Sequence, residues 1–161
     1  SWETVSNNWK EYHSRLNERN QFGLSSIMSA PVLMDIDRWF EFYEPYDPEL
    51  HSHKLFNHIN EDTQQGFLDI RLYPQHIFDR IIDHAINRFE ECSLRGKERT
   101  LAILKSYKLD KSNNRIYSDT KILKLLKKNW QYREKFLLGK HTFESLTAII
   151  DPEVRDWYLS I

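Results

Sequence analysis

The stretch that decides the fold is Pro74–Leu94, which reads PQHIFDRIIDHAINRFEECSL. Its apolar residues recur at spacings of three and four, which is the pattern of an α-helix with a buried face. Because they cover more than one stripe, we expect this helix to pack against more than one neighbour. Gly96 is a suitable residue to end it. The apolar residues are Ile77, Phe78, Ile81, Ile82, Ala85, Ile86, Phe89 and Cys92.

Shorter apolar stripes lie on the amino-terminal side of this helix. One helix is predicted to begin near Pro31, because proline is favoured in a first helical turn. Another is predicted to begin at Asp47-Pro48-Glu49, where the aspartate can cap it. Residues 21–30 are expected to form a loop, and residues 67–73 a short strand or an extended connector. The three helical stripes are Trp2, Val5, Trp9, Tyr12 and Leu16; Leu33, Ile36, Phe40 and Tyr43; and Leu55, Phe56 and Ile59.

The carboxyl-terminal half predicts further helices interrupted by one turn. Residues 98–105 favour a helical turn or two. Residues 107–109 and 115–117 flank a polar stretch, and this arrangement predicts a small β-hairpin near residues 107–117. Asp119 can cap a helix whose apolar face comprises Ile122, Leu126, Trp130 and Leu137. Two closing helices are predicted at residues 142–150 and 151–159.

The sequence therefore predicts a mainly α fold, a single-domain multi-helix bundle over residues 1–161, with one small β-hairpin expected near residues 107–117. No internal repeat or linker divides the chain. Because it begins at Ser1 without a methionine and stops at Ile161, two residues after the apolar run Trp157-Tyr158-Leu159, we expect the domain to be excised from a longer protein.

Composition excludes several kinds of site. Cys92 is the only cysteine, so no internal disulfide and no cysteine-based zinc site can form. The four glycines are isolated from one another, which excludes a glycine-rich phosphate loop. No apolar run approaches the roughly 20 residues that a membrane span needs. We therefore expect an intracellular domain, cytoplasmic or nuclear, with no cofactor, no metal and no membrane partner.

Positive charge is concentrated in residues 91–141, which hold 14 Lys or Arg and 5 Asp or Glu, a net charge of +9 within a chain whose net charge is −1. A basic surface with interspersed aromatic rings suits phosphates and bases, so this segment is a candidate nucleic-acid-binding or partner-binding site. The alternatives are a solvated face or a surface that packs against the acidic half of the same domain. The candidate residues are Lys108, Lys111, Arg115, Lys121, Lys124, Lys128, Trp130, Tyr132 and Lys135.

Residues 35–49 have the opposite character, with six acids and five aromatic residues. Aromatic side chains are enriched at protein interfaces, which makes this segment a candidate protein-interaction surface. The alternative is a core helix with an acidic outer edge. The candidate interaction residues are Trp39, Phe42, Tyr43 and Tyr46.

Possible catalytic or metal-binding residues are few. His51, His53 and His58 crowd one segment, but a helix would point them apart, and only an extended segment would place His51 and His53 on one side. Asp79 and Asp83 are spaced for contact on one helix, which either acid–base chemistry or ordinary surface charge balance explains. Cys92 is in register with the buried face of its helix, so we expect a small buried hydrophobe.

These observations favour a non-enzymatic helical interaction domain, adaptor or regulatory, that binds a protein partner through its acidic–aromatic and basic surfaces. The alternative is a nucleic-acid-binding domain, for DNA or RNA, that uses residues 91–141. Protein interaction ranks first because the chain as a whole is nearly neutral, whereas nucleic-acid-binding domains tend to be basic throughout. An enzyme is the least favoured class, and no catalytic residue is assigned.

Overall fold

A computed structural model describes residues 2–16, 23–53, 69–113 and 151–160, together with Lys124 and Lys128. Most of these residues are helical, and the predicted mainly α fold is confirmed. Two short 3₁₀ turns lie at Glu44–Tyr46 and Ile70–Leu72. The described helices and strands, in chain order, are α1 (Trp2–Ser14), β1 (Gly23–Ile27), α2 (Ala30–Met34), α3 (Ile36–Tyr43), β2 (Glu49–His53), α4 (Gln75–Glu91), α5 (Lys97–Asn113) and α6 (Pro152–Ser160).

Helix α4 lies at the centre of the core, as its sequence predicts. All eight of the apolar residues named above for this stretch are buried. The Phe89 ring lies 4.9 Å from the Phe40 ring of α3, measured between centroids. On its other side α4 packs against α5, whose buried residues are Thr100, Leu104 and Tyr107. The helix is thus covered by more than one neighbour, which agrees with its wide apolar face.

The amino-terminal helices follow the predicted stripes in part. Leu33, Ile36 and Phe40 are buried as expected, with Pro31 in the first turn of α2, but the chain breaks at Asp35 into two short helices. On α1, Val5 is 53% exposed, so the predicted apolar stripe is not buried along its whole length.

The β element is a parallel pair rather than a hairpin. Strand β1 pairs with β2 in the register Gly23↔Glu49 to Ile27↔His53, and residues 28–48 connect them. The helix predicted to begin at Asp47-Pro48-Glu49 is therefore wrong at its start, as is the loop predicted for residues 23–27. The apolar face predicted for that helix, Leu55, Phe56 and Ile59, lies outside the described residues. In β2, burial alternates with the period of a strand: Leu50 and Ser52 are buried, while the histidines are exposed.

The hairpin predicted near residues 107–117 is also wrong where it can be compared, because residues 107–109 belong to α5. Tyr107 follows Leu104 at helical spacing on the buried face, and its hydroxyl donates a hydrogen bond to the Met28 carbonyl at 3.3 Å. Burial of this aromatic side chain favours the helix over the alternating pattern. Residues 114–117, the helix predicted from Asp119 and the helix predicted at residues 142–150 lie outside the described residues, Lys124 and Lys128 excepted.

Two further connections differ from the sequence expectation. Ile70–Leu72 is a 3₁₀ turn instead of the short strand or extended connector predicted for residues 67–73, because the Asp69 carboxylate accepts a hydrogen bond from the Arg71 N–H at 3.0 Å. Helix α4 ends at Glu91, and Gly96 instead precedes α5 with a φ of +80°. A Cβ at position 96 would clash with the Leu50 carbonyl oxygen, so glycine lets the turn between α4 and α5 pack against β2.

The closing helix is confirmed as α6. The Asp151 side chain caps it by accepting hydrogen bonds from the N–H groups of Glu153 at 2.9 Å and Val154 at 3.3 Å. Val154 is fully buried, and the Trp157 ring lies 4.6 Å from the Tyr73 ring between centroids. These contacts attach α6 to the core beside the start of α4.

Candidate protein-interaction surface

The four aromatic residues predicted as an interaction surface lie together in the structure, where α1 adds two further rings. The Trp9 ring lies 5.0 Å from Tyr43 and 6.1 Å from Tyr46, measured between centroids. We call this set the aromatic cluster. None of its members is fully buried. The aromatic cluster comprises Trp9, His13, Trp39, Phe42, Tyr43 and Tyr46.

An open groove of about 640 Å³ lies along α2 and α3 beside the aromatic cluster. Its volume is within the range of about 300–1,000 Å³ that is typical of ligand sites, but it is open to solvent instead of enclosed. It is lined by Pro31, Val32, Asp35, Arg38, Trp39, Glu41, Phe42 and Tyr43.

The charged residues that line the groove are Asp35, Arg38 and Glu41, and they belong to the acidic segment 35–49. Residues 35–49 contain six acids and one base, Arg38. Asp37 is neutralised by α4, because its carboxylate lies 2.8 Å from His84 Nε2 and 3.0 Å from Arg88 Nε. Asp35 lies 3.9 Å from Arg38. The other four acids form no ion pair with any described residue; they are Glu41, Glu44, Asp47 and Glu49.

Tyr43 contributes a polar group to this apolar lining. Burial raises the pKa of its hydroxyl, so the group stays neutral at physiological pH. A neutral phenol can donate a hydrogen bond as well as accept one, while its ring contacts apolar side chains. Tyr43 is thus a half-buried residue with a neutral hydroxyl that belongs to both the groove lining and the aromatic cluster.

The basic candidates on α5 are engaged within the domain. Lys108 Nζ lies 2.6 Å from Asp83 Oδ1 of α4, and this hydrogen bond raises the pKa of Lys108. Lys111 Nζ donates to the carbonyl oxygens of Arg71 at 2.7 Å and Tyr73 at 2.6 Å, and burial lowers the pKa of Lys111. Both lysines therefore contact the domain's own groups, as the alternative of packing against its acidic half predicts.

The remaining basic candidates are described only in part. Lys124 and Lys128 are helical and exposed, as the sequence predicts. Arg115, Lys121, Trp130, Tyr132 and Lys135 lie outside the described residues. Nucleic-acid binding by this group therefore stays a prediction.

A buried charge cluster, which sequence reasoning missed, links the chain before α4 to α5. Arg71 is 0% exposed, and its guanidinium is bonded on all three nitrogens: Nε and Nη2 to Asp69 at 2.8 and 2.6 Å, and Nη1 to Asp110 at 2.6 Å. It also lies over the Tyr107 ring, 4.8 Å from the centroid. Because protein groups bond all three nitrogens, the cluster stabilises the fold and does not form an open ligand site.

Of the candidate catalytic and metal-binding residues, the structure describes His51, His53, Asp79, Asp83 and Cys92. Within the described ranges no group of three or more histidine, cysteine or acidic residues could hold a metal ion. His51 and His53 do share the exposed face of β2, which is the extended case, whereas His58 lies outside the described residues. Asp79 accepts a hydrogen bond from Gln75 at 2.9 Å, and Asp83 pairs with Lys108, as in ordinary surface charge balance.

Cys92 is a small buried group, as expected. Its thiol donates to the Phe89 carbonyl at 3.3 Å, and burial raises its pKa. A raised pKa disfavours the thiolate, which is the nucleophilic form. The structure thus gives Cys92 the environment of a core residue.

Among the described helices, none is both long and apolar enough to cross a membrane. Comparison with known protein families, curated proteins and solved structures found no match, so the function is inferred from the geometry of this chain alone.

Proposed function

We propose that this chain is a non-enzymatic interaction domain, adaptor or regulatory, that binds a basic segment of a partner protein in the groove along α2 and α3. The observation that carries this proposal is an open apolar groove whose lining includes Glu41, an exposed acid that has no ion pair among the described residues. The partner segment would place one apolar side chain in the groove and lysine or arginine residues around it.

The apolar part of the proposal rests on partly exposed aromatic rings. Trp39, Phe42 and Tyr43 line the groove and are only half-buried. Covering such rings removes apolar surface from water, which is the main favourable contribution to protein association. Tryptophan and tyrosine also dominate the small set of residues that contribute most binding energy at interfaces. An apolar anchor on the partner therefore fits the groove.

The charged part of the proposal rests on the unpaired acids. Their negative field attracts a basic segment and accelerates encounter with it. The same field repels phosphates, so this surface is unsuited to nucleic acid. Because Glu41, Glu44 and Asp47 are exposed, salt should screen the attraction, and affinity should fall as ionic strength rises.

The test is selection of peptides from a displayed random library on the immobilised domain. We expect enriched peptides to share a bulky apolar residue flanked by lysine or arginine, since this pattern complements both parts of the surface. Enrichment of acidic peptides, or no enrichment above background, would contradict the proposal.

Charge reversal then locates the site. Glu41→Lys changes a groove-lining acid that has no ion pair among the described residues, and should weaken a selected basic peptide by at least tenfold, which corresponds to about 1.4 kcal/mol. Glu98→Lys on α5 is the matched control, because it makes the same charge change at an exposed site that does not line the groove. Fluorescence polarisation of the labelled peptide measures both. Equal weakening by the two variants would show a non-specific charge effect.

Nucleic-acid binding is the second candidate, and the observation that favours it is the exposure of Lys124 and Lys128 on helical positions four residues apart. Residues at this spacing share one face of a helix. Titration of a labelled 20-mer at two salt concentrations tests it, with Lys121, Lys124 and Lys128 reversed to glutamate for comparison. If the basic segment binds phosphates, the logarithm of affinity should fall with that of salt by about 0.9 per neutralised phosphate on duplex. No binding at low salt would exclude this function.

A further inference from the structure

We infer that β1 is a self-association edge: two copies of this chain join through antiparallel β1–β1 pairing around a two-fold axis at Ser25. The result would be a four-stranded sheet with the order β2–β1–β1–β2. This inference concerns a different surface from the groove and is independent of the proposed partner.

The first step is the direction in which the backbone groups of β1 point. The Met28 N–H donates to the His53 carbonyl at 3.3 Å, which shows that Met28 faces β2. Hydrogen-bonding direction alternates along a strand, so Leu24 and Ser26 also face β2, whereas Gly23, Ser25 and Ile27 face away from it.

The outward-facing groups lack partners among the described residues. The N–H and C=O groups of Gly23 and Ser25 and the N–H of Ile27 have no hydrogen bond there, while the Ile27 carbonyl accepts one from the Ser29 N–H at 2.8 Å. The opposite edge of the sheet differs, because the Leu50 N–H of β2 donates to the Arg95 carbonyl at 2.9 Å. Leu50 and Ser52 are also buried, so the row of unpaired groups that is exposed belongs to β1.

The second step is that this edge complements itself. Antiparallel pairing centred on Ser25 sets Ser25 opposite Ser25, and Gly23 opposite Ile27 of the second copy. Each outward residue then meets another outward residue. Because the Ile27 carbonyl already accepts from the Ser29 N–H, the groups that remain unpaired permit about four new main-chain hydrogen bonds. Such an isologous arrangement closes as a dimer and leaves no further open β1 edge.

The side chains of β1 also permit close pairing. Edge strands are commonly protected by charged residues or proline, and the sequence of β1, GLSSI, contains neither. Ile27 is 52% exposed, and in the dimer it would lie beside Gly23 of the second copy, where the His51 ring provides a surface to pack against. No like charges face each other along β1, because the strand is uncharged.

Sedimentation velocity of the wild-type chain over about a hundredfold concentration range tests the inference. We expect the mass to rise from one copy to two. Ser25→Lys and Ser25→Asp should each lose the dimer, because position 25 faces itself and like charges repel. An equimolar mixture of the two variants should regain it. Ser93→Lys, at an exposed site in the turn after α4, is the matched control and should behave like wild type.

Three outcomes would overturn the inference. They are a wild-type chain that stays monomeric throughout, a Ser25→Lys variant that dimerises like wild type, and two monomeric variants whose mixture stays monomeric. Glu41→Lys should leave the dimer intact. The proposal of peptide binding in the groove and the inference of dimerisation through β1 can therefore fail independently of each other.

Hydrogen exchange of the wild-type chain gives a test that needs no variant. The amides of residues 23–27 that face outward should gain protection as concentration rises. Equal protection in the monomer would mean that the chain itself covers the edge, and would also overturn the inference.

Discussion

Helices α3 and α5 both carry many charges, but they use them differently. On α5, Lys105 and Lys108 lie 3.0 and 2.6 Å from carboxylates of α4, and Lys111 bonds two carbonyl oxygens. Along α3 and the turn after it, most acids form no ion pair with any described residue. The comparison teaches that charge content does not reveal a binding surface. The informative charges are those that the fold leaves unpaired.

The largest expected effect tests the buried charge cluster around Arg71. Arg71→Met should lower the free energy of unfolding by about 3–5 kcal/mol, because it leaves the Asp69 and Asp110 carboxylates without their partner. Urea unfolding measures the change. Arg38→Met, on the exposed side of α3, is the control and should change stability by less than about 0.5 kcal/mol. A similar loss of unfolding free energy in both variants would show that the buried and the exposed arginine contribute equally to stability.

A second prediction tests the apolar part of the acidic region. Trp9→Ala should lower the free energy of unfolding by about 1–2 kcal/mol, since Trp9 is half-buried and contacts three rings near α3. Thermal unfolding followed by circular dichroism measures it. Tyr12→Ala removes an exposed ring from the same helix and should have the smaller effect. An equal loss in both variants would indicate that α1 helicity, and not ring contact, is responsible.

A third prediction compares one charge from each region directly. Lys108→Met should cost at most about 1 kcal/mol, the upper range for an exposed ion pair, and 1 M salt should reduce that cost. Glu41→Gln should leave stability unchanged or slightly higher, because it removes a charge from an acidic surface. Chemical denaturation at low and high salt measures both. A larger loss of unfolding free energy from Glu41→Gln than from Lys108→Met would contradict the view that the charges of α5, and not those of α3, stabilise the fold.

The smallest expected effect concerns pH. Burial raises the pKa of Asp151, but Arg80 and the N–H groups of Val154 and Glu153 together outweigh it and hold the pKa below its usual 3.8. A lowered folded-state pKa adds stability that is present above pH 3.8 and is lost as pH falls through the folded-state value.

Asp151→Asn keeps the helix cap but removes the charge, so its deficit at pH 7 should be at most about 1 kcal/mol. That deficit should disappear in acid. Urea unfolding between pH 7 and pH 2 measures it, and a deficit that grows in acid would contradict the assignment.

Sequence alone predicts α4 well, because the pattern that defines this helix lies entirely within its own residues. The helical spacing and the wide apolar face are local properties, and all of its predicted core residues are buried. The end of α5 was predicted as a strand because three residues alternate around Lys108, whereas burial of Tyr107 against Met28 decides the helix. That contact joins residues far apart in sequence, and a local pattern cannot reveal it.

The strands and the buried charges depend even more on distant contacts. GLSSI has little strand character, and only pairing with β2 makes it a strand. From the sequence, Arg71 would be expected at the surface. Its burial depends on Asp110, which lies 39 positions later in the chain. The sequence did predict that the aromatic residues of α3 form a surface. It could not predict that Trp9 joins them, because that contact depends on where α1 packs.

The glycine at position 96 has a consequence for the order of folding. Helices α4 and α5 are close in sequence, so the turn between them forms at a small cost in chain entropy. Strand β2 must approach that turn so closely that no side chain fits between position 96 and the Leu50 carbonyl. We therefore expect α4 and α5 to pair first. Strand β2 would then pack against the turn between them, and β1 would pair with β2 last. A bulkier residue at position 96 would leave the two helices able to form and stop assembly at that step.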